Sequence, residues 1–198
     1  MDKDLKEMLA AMYNACDSIE KNPDYNVVKE ANLNVNLRDL VNYDLCNFAT
    51  YLTASDGEIT WQESDYISEL RRSYMTSREI VDYINENNIY STEFEEKLPI
   101  SFRIFIFIDV LRELKGERVK EQDSLVKLLL NTYELVGKDI LSCDMNVTSE
   151  ERRDLNTYLN NLRDNSINCL QSLLAKGEES LKSDNNSGGG TVFTGGKR

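Results

Sequence analysis

One short pattern, written twice, constrains the fold of this chain more than any other feature. Ala54-Ser55-Asp56-Gly57-Glu58-Ile59-Thr60-Trp61-Gln62-Glu63 returns eighty-eight residues later as Ser142-Cys143-Asp144-Met145-Asn146-Val147-Thr148-Ser149-Glu150-Glu151. Asp56 pairs with Asp144, Ile59 with Val147, Thr60 with Thr148 and Glu63 with Glu151. Thr60/Glu63 and Thr148/Glu151 have the spacing of a capping box. The threonine hydroxyl accepts from the amide three residues on, and the glutamate accepts from the threonine amide. Each box therefore starts a helix, and losing such a cap costs about 0.5–2 kcal/mol. Asp56-Gly57 is a turn signal, since glycine takes positive φ without a steric penalty. Ile59 and Val147 stand where an apolar residue staples the helix entry. The predicted unit is helix, tight acidic turn, capped helix, used twice.

Apolar periodicity fills in the rest as helices. Leu5, Met8, Leu9, Met12, Cys16 and Ile19 predict an amphipathic helix from about Asp4 to Lys21, stopped by Pro23. Asp24 to Asn36 reads as a polar linker. Leu37, Leu40, Val41, Leu45, Phe48 and Leu52 mark the helix that enters the first turn, and Tyr66, Ile67 and Leu70 the helix that leaves it. Arg71 and Arg72 are expected to answer nearby carboxylates. Thr76/Glu79 is a third capping box, opening a short helix that ends at Asn87-Asn88. Ile100 to Lys115 is rich in β-branched and aromatic residues, but its length and the closing Gly116 favour a central buried helix. Asp109 within it either faces water or needs a polar partner inside the bundle. The stretch 118–142 carries Leu125, Leu129, Tyr133, Val136 and Ile140. Thr148 to about Ala175 carries Leu155, Tyr158, Leu159, Leu162 and Leu170, with Gly177 as its expected C-cap. Gly137 falls at the repeat position of Ala49, which predicts close helix crossing.

The expected architecture is all-α: a single bundle of about seven to eight helices in two pseudo-symmetric halves. Residues 1–35 form an N-terminal helix and linker, 36–176 the bundle, and 177–198 a disordered tail rich in Gly, Ser and Asn. Five of the nine glycines lie from Ser183 on, which favours flexibility. Val192 and Phe193 read there either as a short docking motif for a protein partner or as part of the disorder.

Composition excludes several chemistries. The net charge of −12 disfavours nucleic-acid and anionic-lipid surfaces. The absence of histidine removes the usual neutral-pH base, Ser-His and Cys-His pairs, and His-containing zinc sites. Cys16, Cys46, Cys143 and Cys169 form no Cys-x-x-Cys motif and read as buried thiols of a reducing compartment. The polar start Met1-Asp2-Lys3-Asp4 is no signal peptide. The longest apolar run, Ile104 to Ile108, is too short to span a bilayer. A cytoplasmic location is expected.

The acidic turns leave two readings open. Asp56-Gly57 through Glu63 overlays the second half of an EF-hand loop, but Leu52 and Ala54 occupy ligand positions, so an EF-hand is rejected. Either the acids are solvated groups beside capped helices, or Asp56, Glu58, Asp144 and their neighbours meet and hold a hard cation through oxygen.

The two turns together resemble the tellurite-resistance TerB-like domain family over roughly Asn36 to Cys169. That resemblance implies an all-α bundle of two halves, each with an acidic turn. It implies a divalent cation, Ca²⁺, Mg²⁺ or Mn²⁺, held by Asp56, Glu58 and Glu63 from the first half and Asp144 and Glu151 from the second. It also implies a non-enzymatic adaptor in a bacterial stress-response or defence-related complex, which can lie peripheral to a membrane through its protein partner. Met145 replaces the glycine of the second turn and Asn146 an acid, so a symmetric metal site is not expected. The competing expectation is an enzyme that uses Asp56, Glu58, Asp144 and Glu151 for metal-dependent phosphoryl chemistry.

Overall fold

The structure is a computed structural model that describes residues 1–22, 35–117, 119–143 and 147–187, with the side chains of 121 and 178–187 excepted. The linker 24–36 lies almost wholly outside these residues. The helices are α1 (Lys3–Lys21), α2 (Leu37–Thr53), α3 (Trp61–Arg71), α4 (Ser77–Asn87), α5 (Thr92–Glu96), α6 (Ile100–Leu114), α7 (Leu125–Leu141) and α8 (Ser149–Ser187). Among the described residues there is no strand.

Each start and stop has a local cause. Thr60 and Thr76 both form complete capping boxes, with Glu63 and Glu79. Asn36 accepts from the Asp39 amide and opens α2. α4 ends at Asn88 in the left-handed conformation, φ 51°. Gly116 (φ +85°) closes α6, with its amide bonded to Glu113 O and the next amide to Arg112 O, each at 2.9 Å. α7 begins later than the stretch 118–142 implies. Its N-cap is Ser124, whose hydroxyl accepts from the Lys127 amide, and a single 3₁₀ turn at Glu121–Asp123 precedes it.

α6 is indeed the central helix, packed on α7, α8 and α2. It follows Pro99, which offers no side-chain cap. Asp44 supplies the missing acceptor from α2: its Oδ2 takes the Ser101 amide at 3.0 Å and the Ser101 hydroxyl at 2.6 Å. Burial raises the Asp44 carboxyl, and the Ser101 bonds work against that rise. α2 crosses α7, and α1 lies over both. The carboxylate of Glu20 accepts from the Leu37 amide, which ties the end of α1 to the start of α2.

The repeat survives in the core. Val41 and Leu129, Leu45 and Tyr133, Phe48 and Val136, Leu52 and Ile140, and Leu70 and Tyr158 are all buried at the same offset. Gly137 stands where α7 meets α2 and α8. A Cβ there would lie 2.4 Å from Leu155 Cδ1 and 3.2 Å from Phe48 Cζ. Phe48, Tyr51, Phe94, Phe102, Tyr133 and Tyr158 form one aromatic cluster, with the rings of Phe48 and Tyr158 4.7 Å apart.

Three expectations are corrected. Gly177 is not a C-cap, because α8 runs on to Ser187. A Cβ at Gly177 would come 2.6 Å from Leu114 Cδ1, so the glycine serves the approach of α6 to α8. Among the described residues Arg71 and Arg72 meet aromatic faces and no carboxylate within ion-pair distance, lying 4.7 Å from the Tyr83 ring and 5.9 Å from the Tyr13 ring. Ring quadrupoles attract a guanidinium without the desolvation of a second charge. Finally, Cys16 and Cys46 are buried, whereas Cys143, two residues past the end of α7, and Cys169 on α8 are half-buried.

Candidate functional site

The acidic turns behave first as helix starts. Glu63 and Glu151 are each only 4% exposed. Glu63 Oε2 accepts from the Thr60 amide at 2.8 Å and the Thr60 hydroxyl at 2.9 Å. Glu151 Oε2 repeats this with Thr148 at 2.6 and 2.9 Å. Asp56 is exposed and accepts from the Glu58 amide at 3.0 Å, which shapes the turn ahead of Gly57 (φ +81°). Glu58 is exposed as well. Asp144 lies outside the described residues, as do Val192 and Phe193. Among the described residues no three cysteine or carboxylate side chains gather closely enough to hold a metal ion. Of the five acids, Glu63 and Glu151 each turn a carboxylate oxygen to the cap threonine, while Asp56 and Glu58 lie on the exposed turn.

Asp109 takes the interior alternative. It is 3% exposed. Its carboxylate accepts from Arg112 Nη1 at 3.2 Å, Ser124 Oγ at 2.9 Å and the Val126 amide at 3.2 Å. The carboxylate thus stitches α6 to the start of α7.

The surface feature best suited to binding is a groove of about 410 Å³ between α7 and α8. Its floor is Val126, Leu130, Ile167 and Leu170, and its rim carries Lys127, Glu134 and Arg163. Ile167 is 54% exposed. Ser166 lines the groove and is buried, yet its Oγ has no hydrogen-bond partner among the described residues. An orphaned buried hydroxyl costs about 1–3 kcal/mol. Glu134 accepts from Lys138 Nζ at 2.6 Å and Arg163 Nη2 at 3.1 Å, and the Lys138 hydrogen bond is the main cause of its lowered pKa. A smaller cavity of about 180 Å³ shares Ser124 and Leu170 and extends the strip to Leu174.

Sequence reasoning missed this groove, because Leu170 reads as part of one core stripe. The available signal is Ile167, an apolar residue off that stripe, beside Ser166, which is polar and on it. Comparison of the chain with protein-family models, with curated proteins and with solved structures finds no match.

Proposed function

We propose that this chain is a non-enzymatic interaction module of TerB-like type, and that its α7–α8 groove receives an amphipathic helix of a protein partner. The observation that carries this reading is the groove itself, apolar along its floor with an unpartnered serine hydroxyl in it. A partner helix would cover Val126, Leu130, Ile167 and Leu170 and place a hydrogen-bonding side chain opposite Ser166. The rim carries Lys127, Arg163 and Glu134, and a helix laid beside the two cations would meet them with acidic flanks. Burying the exposed half of Ile167 alone contributes about 1 kcal/mol. Recovering the hydrogen bond of Ser166 adds a similar amount.

The setting implied by the resemblance is a stress-response or defence-related complex. The two capping boxes support the TerB-like reading, since they give each half the same helix–turn–helix start. Glu151, one of the acids required for metal-dependent phosphoryl chemistry, already accepts two hydrogen bonds from Thr148.

The test is comparative affinity purification of the full chain, as wild type, Ile167→Glu and Trp61→Ala, from cells that express it. Trp61 is the control because it is 69% exposed and remote in sequence from the groove. A protein retained by wild type and Trp61→Ala but lost from Ile167→Glu is expected. An acidic amphipathic helix from it, as a synthetic peptide, should bind wild type and not Ile167→Glu. A partner set unchanged by Ile167→Glu would overturn the reading.

A further inference from the structure

We propose that the cavity between α5 and the N-terminal part of α8 is a binding site for an organic cation, a primary ammonium or a guanidinium. The cavity is about 420 Å³, and Tyr51, Tyr90, Thr92, Glu95, Asp154 and Thr157 form much of its wall. This volume lies within the range of small-molecule sites, about 300–1,000 Å³. It far exceeds what a bare metal ion needs.

The wall is anionic and aromatic. The Tyr51 hydroxyl donates to Glu95 Oε2 at 3.1 Å, and the Tyr90 hydroxyl donates to Asp154 Oδ2 at 2.7 Å. The two phenol rings pack against each other with centroids 5.4 Å apart, and Tyr90, 43% exposed, keeps ring surface open at the cavity wall. Aromatic faces attract cations within about 6 Å. Asp154 is matched by Arg153, whose Nη2 is 2.9 Å from Asp154 Oδ1. Glu95 is matched by neutral donors: the Tyr51 hydroxyl and the Asn161 amide, at 3.3 Å to Oε1. The wall thus holds two carboxylates and one guanidinium, an excess of one negative charge. Each carboxylate accepts about four hydrogen bonds in all, and those described leave room on Glu95 for an N–H donor. The net charge of −12 raises the local concentration of any cation.

The same chemistry is offered by a free amine and by a lysine or arginine side chain of a partner peptide. The experiment is isothermal titration of the full chain with n-butylammonium, N-butylguanidinium, neutral n-butanol and a capped Gly-Lys-Gly peptide. Saturable binding of the two cations, weakened by added salt, is expected, with none for butanol. Glu95→Gln should weaken butylammonium about tenfold, the scale of one lost charge contact. Glu96→Gln removes the same charge from an exposed neighbouring position and should leave affinity unchanged. If Glu95→Gln lowers the melting temperature, Tyr90→Leu gives the same reading from the ring side, with Tyr90→Phe as its control. A peptide at least as tight as butylammonium assigns the site to a partner's side chain, and a weaker one to a free amine. Equal weakening by Glu95→Gln and Glu96→Gln, equal binding of butanol, or unchanged affinity in Tyr90→Leu would each overturn the proposal.

Discussion

Gly137→Ala is the sharpest test of how the two halves are joined. An alanine Cβ at this position would stand 2.4 Å from Leu155 Cδ1, 3.2 Å from Phe48 Cζ and 3.5 Å from Leu52 Cδ1. Leu155 can retreat by a rotamer change, but Phe48 and Leu52 are fully buried and have little space to give. Overpacking of this kind costs about 1–3 kcal/mol, and the crowding on two sides places it near the upper end. Replacing glycine in a helix interior returns about 1 kcal/mol. The net expectation is a loss of about 1–2 kcal/mol, a fall in melting temperature of about 2–8 °C for a chain of this size. Urea denaturation followed by circular dichroism measures it. Leu155→Ala removes the closest atom, so the double variant should be more stable than the sum of the two single changes by about 1 kcal/mol. Gly177→Ala is the control: its neighbour Leu114 is half-buried at the end of α6 and free to move aside, so that change should be neutral or slightly stabilising. A Gly137→Ala protein as stable as wild type, or a double variant without coupling, would refute the close crossing.

Four further outcomes are expected. Asp109→Ala strands the buried Val126 amide, while Arg112 keeps Glu117 and the Asp123 carbonyl, and should cost about 1–3 kcal/mol in a denaturant titration; Asp109→Asn, which keeps an acceptor, should cost less. Burial raises the Asp44 pKa, so the folded state binds this proton more tightly than the unfolded chain does, and stability falls as pH rises from the ordinary aspartate range through the raised value. Asp44→Asn should therefore be more stable than wild type above that window and equal to it at about pH 3, and a pH series of melts that keeps the wild-type slope would contradict this. Burial pushes the Cys16 and Cys46 thiols up to about 12, so a thiol reagent at about pH 8 should modify Cys143 and Cys169 quickly and the other two only on unfolding. Melts with Ca²⁺, Mg²⁺ or Mn²⁺ should match the metal-free melt; a rise abolished by both Asp56→Asn and Asp144→Asn would instead establish one ion shared by the two turns.

The helices were legible because their punctuation is local. Thr60, Thr76 and Thr148 each announce a start at the next residue, with the partner glutamate three residues on, and the Asn88 and Gly116 stops need only neighbouring amides. Gly177 was misread because the same residue serves two purposes, ending a helix or admitting a neighbour, and only the position of Leu114 decides between them. Arg71 and Arg72 differ from expectation for a similar reason: a guanidinium is satisfied by an acid or by a ring, and the rings come from other helices, Tyr83 from α4 and Tyr13 from α1. Asp44 escaped notice altogether, since its partner Ser101 lies fifty-seven residues away.

The repeat also shows where to look for function. Positions that fold the chain match across the offset of eighty-eight: Glu63 with Glu151 as cap partners, Ile67 with Leu155 and Ala49 with Gly137 as core. Positions that line the polar cavity do not match. Asp154, Arg153 and Thr157 stand where the first half has Tyr66, Asp65 and Glu69. Tyr66 and Asp154 are both buried, yet one is a phenol and the other a carboxylate that accepts a hydrogen bond from Tyr90. A duplicated fold needs equivalent caps and core at both copies, and a carboxylate buried in one copy alone answers a need of that copy, as Asp109 does where it stitches α6 to α7. Asp154 differs from Asp109 in sharing its cavity wall with Tyr51, Tyr90 and Glu95, and that asymmetry between the halves is the arrangement on which the proposed cation site rests.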